Sequence, residues 1–199
     1  MSYANGGSLS DLIAARQGGA TKSENLLNKD DLIAQRKLSK RFGKQTSSFE
    51  NSPIHYFRSE ELLLLFKDIV EGLVFLHEKD ILHLDLKPAN VLLDWKDSHK
   101  GIPTAMLSDF GSSFYQSSTK FENRTGETGT LEYTSPEALK KDKKGVFNSA
   151  RDFKSDIWSL GMILHEMLFL DLPWFPYGNN FDNLTYQILS YPGCVLIFF

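Results

Sequence analysis

The sequence predicts a mainly helical α+β domain carrying one small β-hairpin. Three observations predict it: an apolar stripe at helical spacing over residues 59 to about 79, a second helical run over about 155–169, and two short apolar runs, 91–93 and 105–107, separated by the turn-rich residues 94–103. In the first helix Leu62, Leu65, Phe66, Ile69, Leu73 and Leu76 recur at steps of three and four, the period of one helix face. Ser59 stands where a cap belongs, with Glu60 and Glu61 in the first turn, where the helix dipole favours anions. In the second run Ile157, Trp158, Leu160, Ile163, Leu164, Met167 and Leu168 cover nearly every side, which predicts a helix buried all round. The short runs read as the arms of the hairpin. Near the start, Ser8 or Ser10 caps a short helix holding Leu9, Leu12 and Ile13, as serines at that position do.

Composition narrows the function classes. The chain has 199 residues, 41% hydrophobic and 24% charged, which suits one sizeable core and excludes a disordered, collagen-like or coiled-coil chain. Twenty-two Lys and Arg against 25 Asp and Glu give a net charge of −3, so nothing draws the whole chain to nucleic acid or an anionic membrane. The single cysteine, Cys194, excludes an intramolecular disulfide and a thiolate-rich zinc cluster and fits a reducing compartment. No signal-peptide pattern opens the chain, and its apolar stretches fall short of the roughly 20 residues of a membrane span. A soluble cytoplasmic protein is expected.

Residues 16 to about 57 break this average. Over 16–50, eight basic residues face four acidic ones, leaving 14 basic and 21 acidic for the rest of the chain. With Gly18-Gly19, Ser47-Ser48 and few large apolar side chains, the segment reads as a solvated insertion loop. A basic amphipathic turn over 30–42 is the other reading, although Leu32, Ile33, Leu38 and Phe42 fit a helical stripe poorly. At the far end, Cys194-Val195-Leu196-Ile197-Phe198-Phe199 is an apolar, β-prone tail and an aggregation liability.

The chemistry concentrates in His83-Leu84-Asp85-Leu86-Lys87-Pro88-Ala89-Asn90, which sets an acid, a base and an amide on a loop between the long helix and the first hairpin arm. Rigidly held loops are where catalytic groups gather. With each residue type at roughly 5%, the five letters His, Asp, Lys, Pro and Asn match a given position by chance about once in three million.

That segment is followed by Asp109-Phe110-Gly111, by Gly129-Thr130-Leu131-Glu132-Tyr133-Thr134-Ser135-Pro136-Glu137, and by Asp156-Ile157-Trp158-Ser159-Leu160-Gly161. In order and spacing these four motifs resemble the C-terminal lobe of protein kinases of the serine/threonine type, and the chain looks most like the fungal IKS-type members. The resemblance implies a partial kinase domain over 1–193, hinge and C-terminal lobe with the polar basic insertion at about 16–57 within it, and leaves only the apolar tail at 194–199 unlike the family. It implies ATP and magnesium as cofactors and proteins as substrates. It assigns Asp85 as catalytic base, Lys87 as the partner of phosphate charge, Thr130 as a bridge between them, and Asn90 and Asp109 as magnesium ligands. The physical reasons are plain: a carboxylate on a rigid loop orients and deprotonates an acceptor hydroxyl, and magnesium prefers hard oxygen donors. Residues 1–9 resemble the hinge, so the backbone near Ser2 and Ala4 meets adenine, Ser8 reaches ribose and Leu92 lies under the adenine. His83 and Phe110 join an apolar column beneath the site, and Asp156 caps its helix and braces the loop.

The resemblance also has gaps. Leu84 stands where many members carry the arginine that pairs a phosphorylated activation loop, although Ser117, Ser118, Thr119, Thr125 and Thr128 offer hydroxyls. No glycine-rich loop, strand lysine or helix glutamate is found, so the N-terminal β lobe is expected to be absent and the isolated chain inactive. Glu137 resembles a buried acid whose arginine comes later, yet the last arginine is Arg151, so Glu137 is expected partly solvated or unpaired. Two rival readings remain: a non-catalytic, protein-binding kinase-lobe fragment, and a metal-dependent phosphohydrolase using His83, Asp85 and Asp109.

Overall fold

A reciprocal cap starts the first helix, α1 (Leu9–Arg16). The Asp11 backbone N–H donates to Ser8 Oγ at 3.2 Å and the Ser8 N–H to Asp11 Oδ2 at 2.8 Å, satisfying two backbone donors at once. Of the two candidate serines, Ser8 therefore takes the cap, and Leu9, Leu12 and Ile13 go into the core. The computed structural model describes residues 6–17, 56–99, 101–117, 130–140, 152–174 and 181–193. Most of the expected insertion, the 30–42 turn, the tail and residues Ser2 and Ala4 lie outside them.

The long helix, α2, runs Ser59–His77, two residues short of the expected end. Arg58, not Ser59, occupies its cap, and no side chain closes that end. Ser59 is the first helical residue, and Glu60 and Glu61 place negative charge in the first turn, where the helix dipole favours it. Leu65, Ile69, Leu73 and Leu76 are buried, and Leu62 and Phe66 lie half-buried against the same core. Beyond α2 come the two-residue strand β1 (Ile81–Leu82), the hairpin strands β2 (Val91–His99) and β3 (Ile102–Leu107), and β4 (Phe114–Tyr115).

The hairpin is longer than expected. Its register pairs Val91 with Leu107, Leu92 with Met106, Leu93 with Ala105 and Asp94 with Thr104, then shifts before His99 pairs with Ile102. Residues 94–103 thus belong mostly to the strands, and Gly101, at φ 76°, serves the reversal. A backbone ladder needs only N–H and C=O groups, so polar side chains on an exposed arm do not stop it. The hairpin lies on α2: Asp68 Oδ2 accepts the Ala105 N–H at 3.0 Å, and Gly72 makes room for Leu107, whose Cγ lies 3.1 Å from where a Cβ would stand.

A short helix, α3 (Pro136–Leu139), precedes α4 (Phe153–Phe169) and α5 (Phe181–Ser190). Asp152 caps α4 by accepting the Lys154 N–H at 2.8 Å, so the expectation that Asp156 is the cap is corrected. The expected all-round burial of α4 is corrected too. Leu160, Met162, Ile163 and Met167 are buried, whereas Ile157 is 53% and Phe169 51% exposed, because among the described residues α4 is covered only on its inner side. One core joins α1, α2, the hairpin and α4. A smaller one holds Leu139, Met162, Trp174, Leu184 and Ile188. Among the described residues no helix is long and apolar enough to cross a membrane.

Candidate active site

The loop of residues 83–90 is held at three places. Upstream, β1 pairs with β4, Ile81 opposite Tyr115 and Leu82 opposite Phe114, which fastens the stretch after Asp109 beside the start of the loop. Downstream, the loop closes in a single tight turn, Pro88–Asn90, that runs into β2. From below, Asp156, 1% exposed on α4, accepts the His83 N–H at 2.8 Å and the Leu84 N–H at 2.9 Å, with His77 Nε2 2.9 Å from the same carboxylate. Asp156 braces the loop without being the helix cap. His77 and Asp152 carried no motif; a histidine closing an amphipathic helix and an aspartate just before an apolar run were the available signals.

Asp85 lies at the centre. One carboxylate oxygen, Oδ2, accepts Lys87 Nζ at 2.9 Å and Asn90 Nδ2 at 3.0 Å; the other, Oδ1, accepts both the backbone N–H and the hydroxyl of Thr130 at 3.1 Å. Lys87 Nζ also donates to Thr130 Oγ1 at 2.6 Å, so the threonine hydroxyl takes a bond from the cation and passes one to the carboxylate. Burial pushes the Asp85 carboxyl up, but the bond and charge of Lys87, then the bonds of Thr130 and Asn90, outweigh it and hold the group below the ordinary carboxylate range. Asp85, Lys87, Asn90 and Thr130 thus form one cluster from two distant stretches of chain.

Thr130 is delivered by a segment anchored on α4. It precedes a tight turn, Leu131–Tyr133. Ser159 Oγ donates to the Tyr133 carbonyl at 2.8 Å, and the Tyr133 hydroxyl donates to Glu166 at 2.5 Å. Burial first, and then the Glu166 carboxylate, push the Tyr133 phenol far above its usual pKa. It stays a neutral donor.

Asn90 spends its Nδ2 twice on Asp85, on the backbone carbonyl at 2.7 Å and on the carboxylate, which leaves Oδ1 as its free end. Asp109 follows β3 in the left-handed region, φ 57°, and its Oδ1 accepts the Gly111 N–H at a long 3.3 Å. Both residues therefore offer hard oxygen donors, and their chemistry fits a magnesium ion. Among the described residues no three His, Cys, Asp or Glu side chains are grouped so as to hold a metal ion by themselves. His83 is fully buried, with Nε2 3.0 Å from the Ser108 carbonyl. Phe110, expected beside it in an apolar column, lies with its ring centre 5.5 Å away and is 49% exposed.

Residues 6–8 lie along β2. Gly6 donates to the Leu93 carbonyl at 2.8 Å, Leu93 donates to the Gly7 carbonyl at 2.9 Å, and Ser8 bridges to Leu92. The approach is close enough that a Cβ on Gly6 would stand 2.4 Å from the Leu93 carbonyl oxygen. Ser8 and Leu92, two of the expected nucleotide contacts, are thereby neighbours, and the Ser8 hydroxyl donates to Asp11 Oδ2 at 2.8 Å. Glu137 is half-buried, and Arg124 and Arg151, its candidate partners, lie outside the described residues.

The helices and the hairpin thus brace a lysine–aspartate–threonine cluster with the oxygen donors of Asn90 and Asp109 on the flanking stretches. The family model described as "Protein kinase domain" matches residues 36–191, and the chain belongs to that family. It is 38% identical over 136 residues to "Probable serine/threonine-protein kinase iksA" of Dictyostelium discoideum, covering 61% of this chain and 14% of that protein. It is 38% identical over 121 residues to "MAP kinase kinase kinase wis4" of Schizosaccharomyces pombe, covering 56% and 8%. It is 35% identical over 155 residues to "Probable serine/threonine-protein kinase nek1" of Dictyostelium discoideum, covering 72% and 28%. The chain spans a small part of the length of each.

Proposed function

We propose that the chain is the catalytic-loop part of an ATP-dependent serine/threonine protein kinase, which moves the γ-phosphoryl group of ATP to a protein Ser or Thr hydroxyl. The observation that carries this reading is the Thr130 hydroxyl, bonded to both Lys87 and Asp85.

In this reading Asp85 orients the acceptor hydroxyl and takes its proton. A carboxyl held below its ordinary pKa stays ionised near neutral pH, so it accepts the proton only late, when the hydroxyl has grown acidic through bonding to phosphorus. Lys87 sets a positive charge against the equatorial phosphoryl oxygens. Asn90 and Asp109 are the residues that would hold magnesium, offering an amide oxygen and a carboxylate. Residues Ser2, Ala4, Ser8 and Leu92 line the adenosine end. Magnesium–ATP, when bound, supplies the electrophilic phosphorus and a charge-neutralised leaving group. The domain takes in residues 1–193, since residues 6–8 pair with β2 and α1 shares the main core. A single cysteine and ATP chemistry suit a cytoplasmic setting.

The test is phosphoryl transfer from labelled ATP to Ser, Thr and Tyr peptides, run beside calorimetry with magnesium–ATP. Transfer to Ser or Thr that falls about 10²–10⁴-fold in Asp85→Asn supports the proposal. Transfer to Tyr peptides, or transfer to Ser or Thr undiminished in Asp85→Asn, overturns it.

A further inference from the structure

We propose that Ser108 is a positioning residue that fixes the two magnesium-holding residues, Asn90 and Asp109, in register through its hydroxyl; this rests on the reading of those two as metal ligands. Ser108 follows β3 directly, and its N–H donates to the Asn90 carbonyl at 2.9 Å, one rung beyond the Val91–Leu107 pair that ends the hairpin. The backbone bond is therefore a continuation of the ladder. The hydroxyl adds something the ladder does not require: Ser108 Oγ donates to the same Asn90 carbonyl at 2.9 Å. Two donors on one acceptor use both its lone pairs and turn a single pivot into a fixed joint.

The rest of Ser108 is committed as well. Its carbonyl lies 3.0 Å from Nε2 of the fully buried His83, whose own N–H is held by Asp156. The residue thus ties the catalytic loop to the hairpin end through its N–H, hydroxyl and C=O. Asn90 is gripped from two sides, its side-chain amide by Asp85 and its carbonyl by Ser108, leaving Oδ1 aimed by its neighbours. On the other side of Ser108 stands Asp109, held in left-handed backbone, a strained conformation that persists only where adjacent residues are anchored. Without the hydroxyl, Asn90 and Asp109 remain connected but gain freedom relative to each other, and a cation that needs both in one geometry is the first to register the loss.

The test uses the 199-residue chain with Mn²⁺ as the probe, free ion being followed by electron paramagnetic resonance, and urea unfolding in parallel. Asp109→Asn identifies the site by removing the binding. Ser108→Ala is expected to weaken Mn²⁺ binding about fivefold, the worth of one neutral hydrogen bond, while Ser108→Thr, which keeps the hydroxyl, restores it. A hydroxyl with a merely structural role lowers the urea midpoint and leaves Mn²⁺ affinity within twofold of the parent, and that result overturns the proposal for Ser108 alone. Absence of Mn²⁺ binding, or binding that survives Asp109→Asn, overturns the metal-ligand reading together with it.

Discussion

The carboxylate of Asp156 holds the backbone of Leu84: Oδ1 accepts the Leu84 N–H at 2.9 Å. Leu84 sits at φ 64°, where a side chain bearing a Cβ costs roughly 1–2 kcal/mol. The second oxygen holds the His83 N–H, so one buried side chain imposes the conformation that turns Asp85 toward Thr130. Asp156→Ala leaves two loop donors and His77 without their acceptor. Each buried orphan costs about 1–3 kcal/mol, so urea unfolding should show a loss of about 3 kcal/mol or more. Asp156→Asn keeps one oxygen and should lose distinctly less; an equal loss in the two variants would count against the bracing role.

The depressed Asp85 pKa fixes the sign of a pH dependence. A carboxyl whose folded pKa lies below its unfolded value near 3.9 contributes stability that is complete above that value and lost as pH falls through the folded pKa. Carboxyl-detected NMR titration should place the Asp85 midpoint below the ordinary aspartate value, and Lys87→Met should raise it, because Lys87 is the strongest of the influences that lower it. A midpoint unmoved in Lys87→Met would remove the lysine from its assigned place.

Arg16, at the end of α1, donates to Glu61 Oε1 at 2.5 Å and to the Tyr56 carbonyl at 3.2 Å, with its guanidinium 4.7 Å above the Phe57 ring. The Glu61 side chain is only 7% exposed. Removing one partner of a largely buried pair strands the other, so Arg16→Met should cost about 3 kcal/mol by urea denaturation. The double variant Arg16→Met/Glu61→Leu should recover much of that loss, since an apolar pair of similar volume is tolerated there. A double variant no more stable than the single one would show that packing, and not the stranded charge, sets the cost.

Much of this was legible in the residues. The stripe from Leu62 to Leu76 gave α2 because one repeating period dictates one buried face, and the motif from His83 to Asn90 gave the loop because five unusual letters stood together. The hairpin length was not legible, since a backbone ladder runs on through polar residues that carry no apolar alternation. The open side of α4 was missed for another reason: an apolar helix surface states what a residue prefers, not whether a neighbour meets it, and Ile157 stays about half exposed. His77 and Ser108 escaped notice because they act through long-range contacts with Asp156 and Asn90, and no local spacing encodes those. Within the site, Asp85, Lys87, Asn90 and Thr130 were named from motifs, while the two-way bond of the Thr130 hydroxyl emerged only in three dimensions.

The bond from Arg16 to the Tyr56 carbonyl also sets a rule for variation. The two residues lie 40 apart in sequence, yet they close a ring at a single hydrogen bond. The entropy of closing such a ring grows only with the logarithm of its length, about 0.6 kcal/mol for each doubling. Residues added to or taken from between these points change the circumference and leave the junction as it is. The basic stretch can therefore drift in length across relatives while α1 and α2 keep their seats, so in an alignment gaps should collect between 17 and 56 and stop sharply at both.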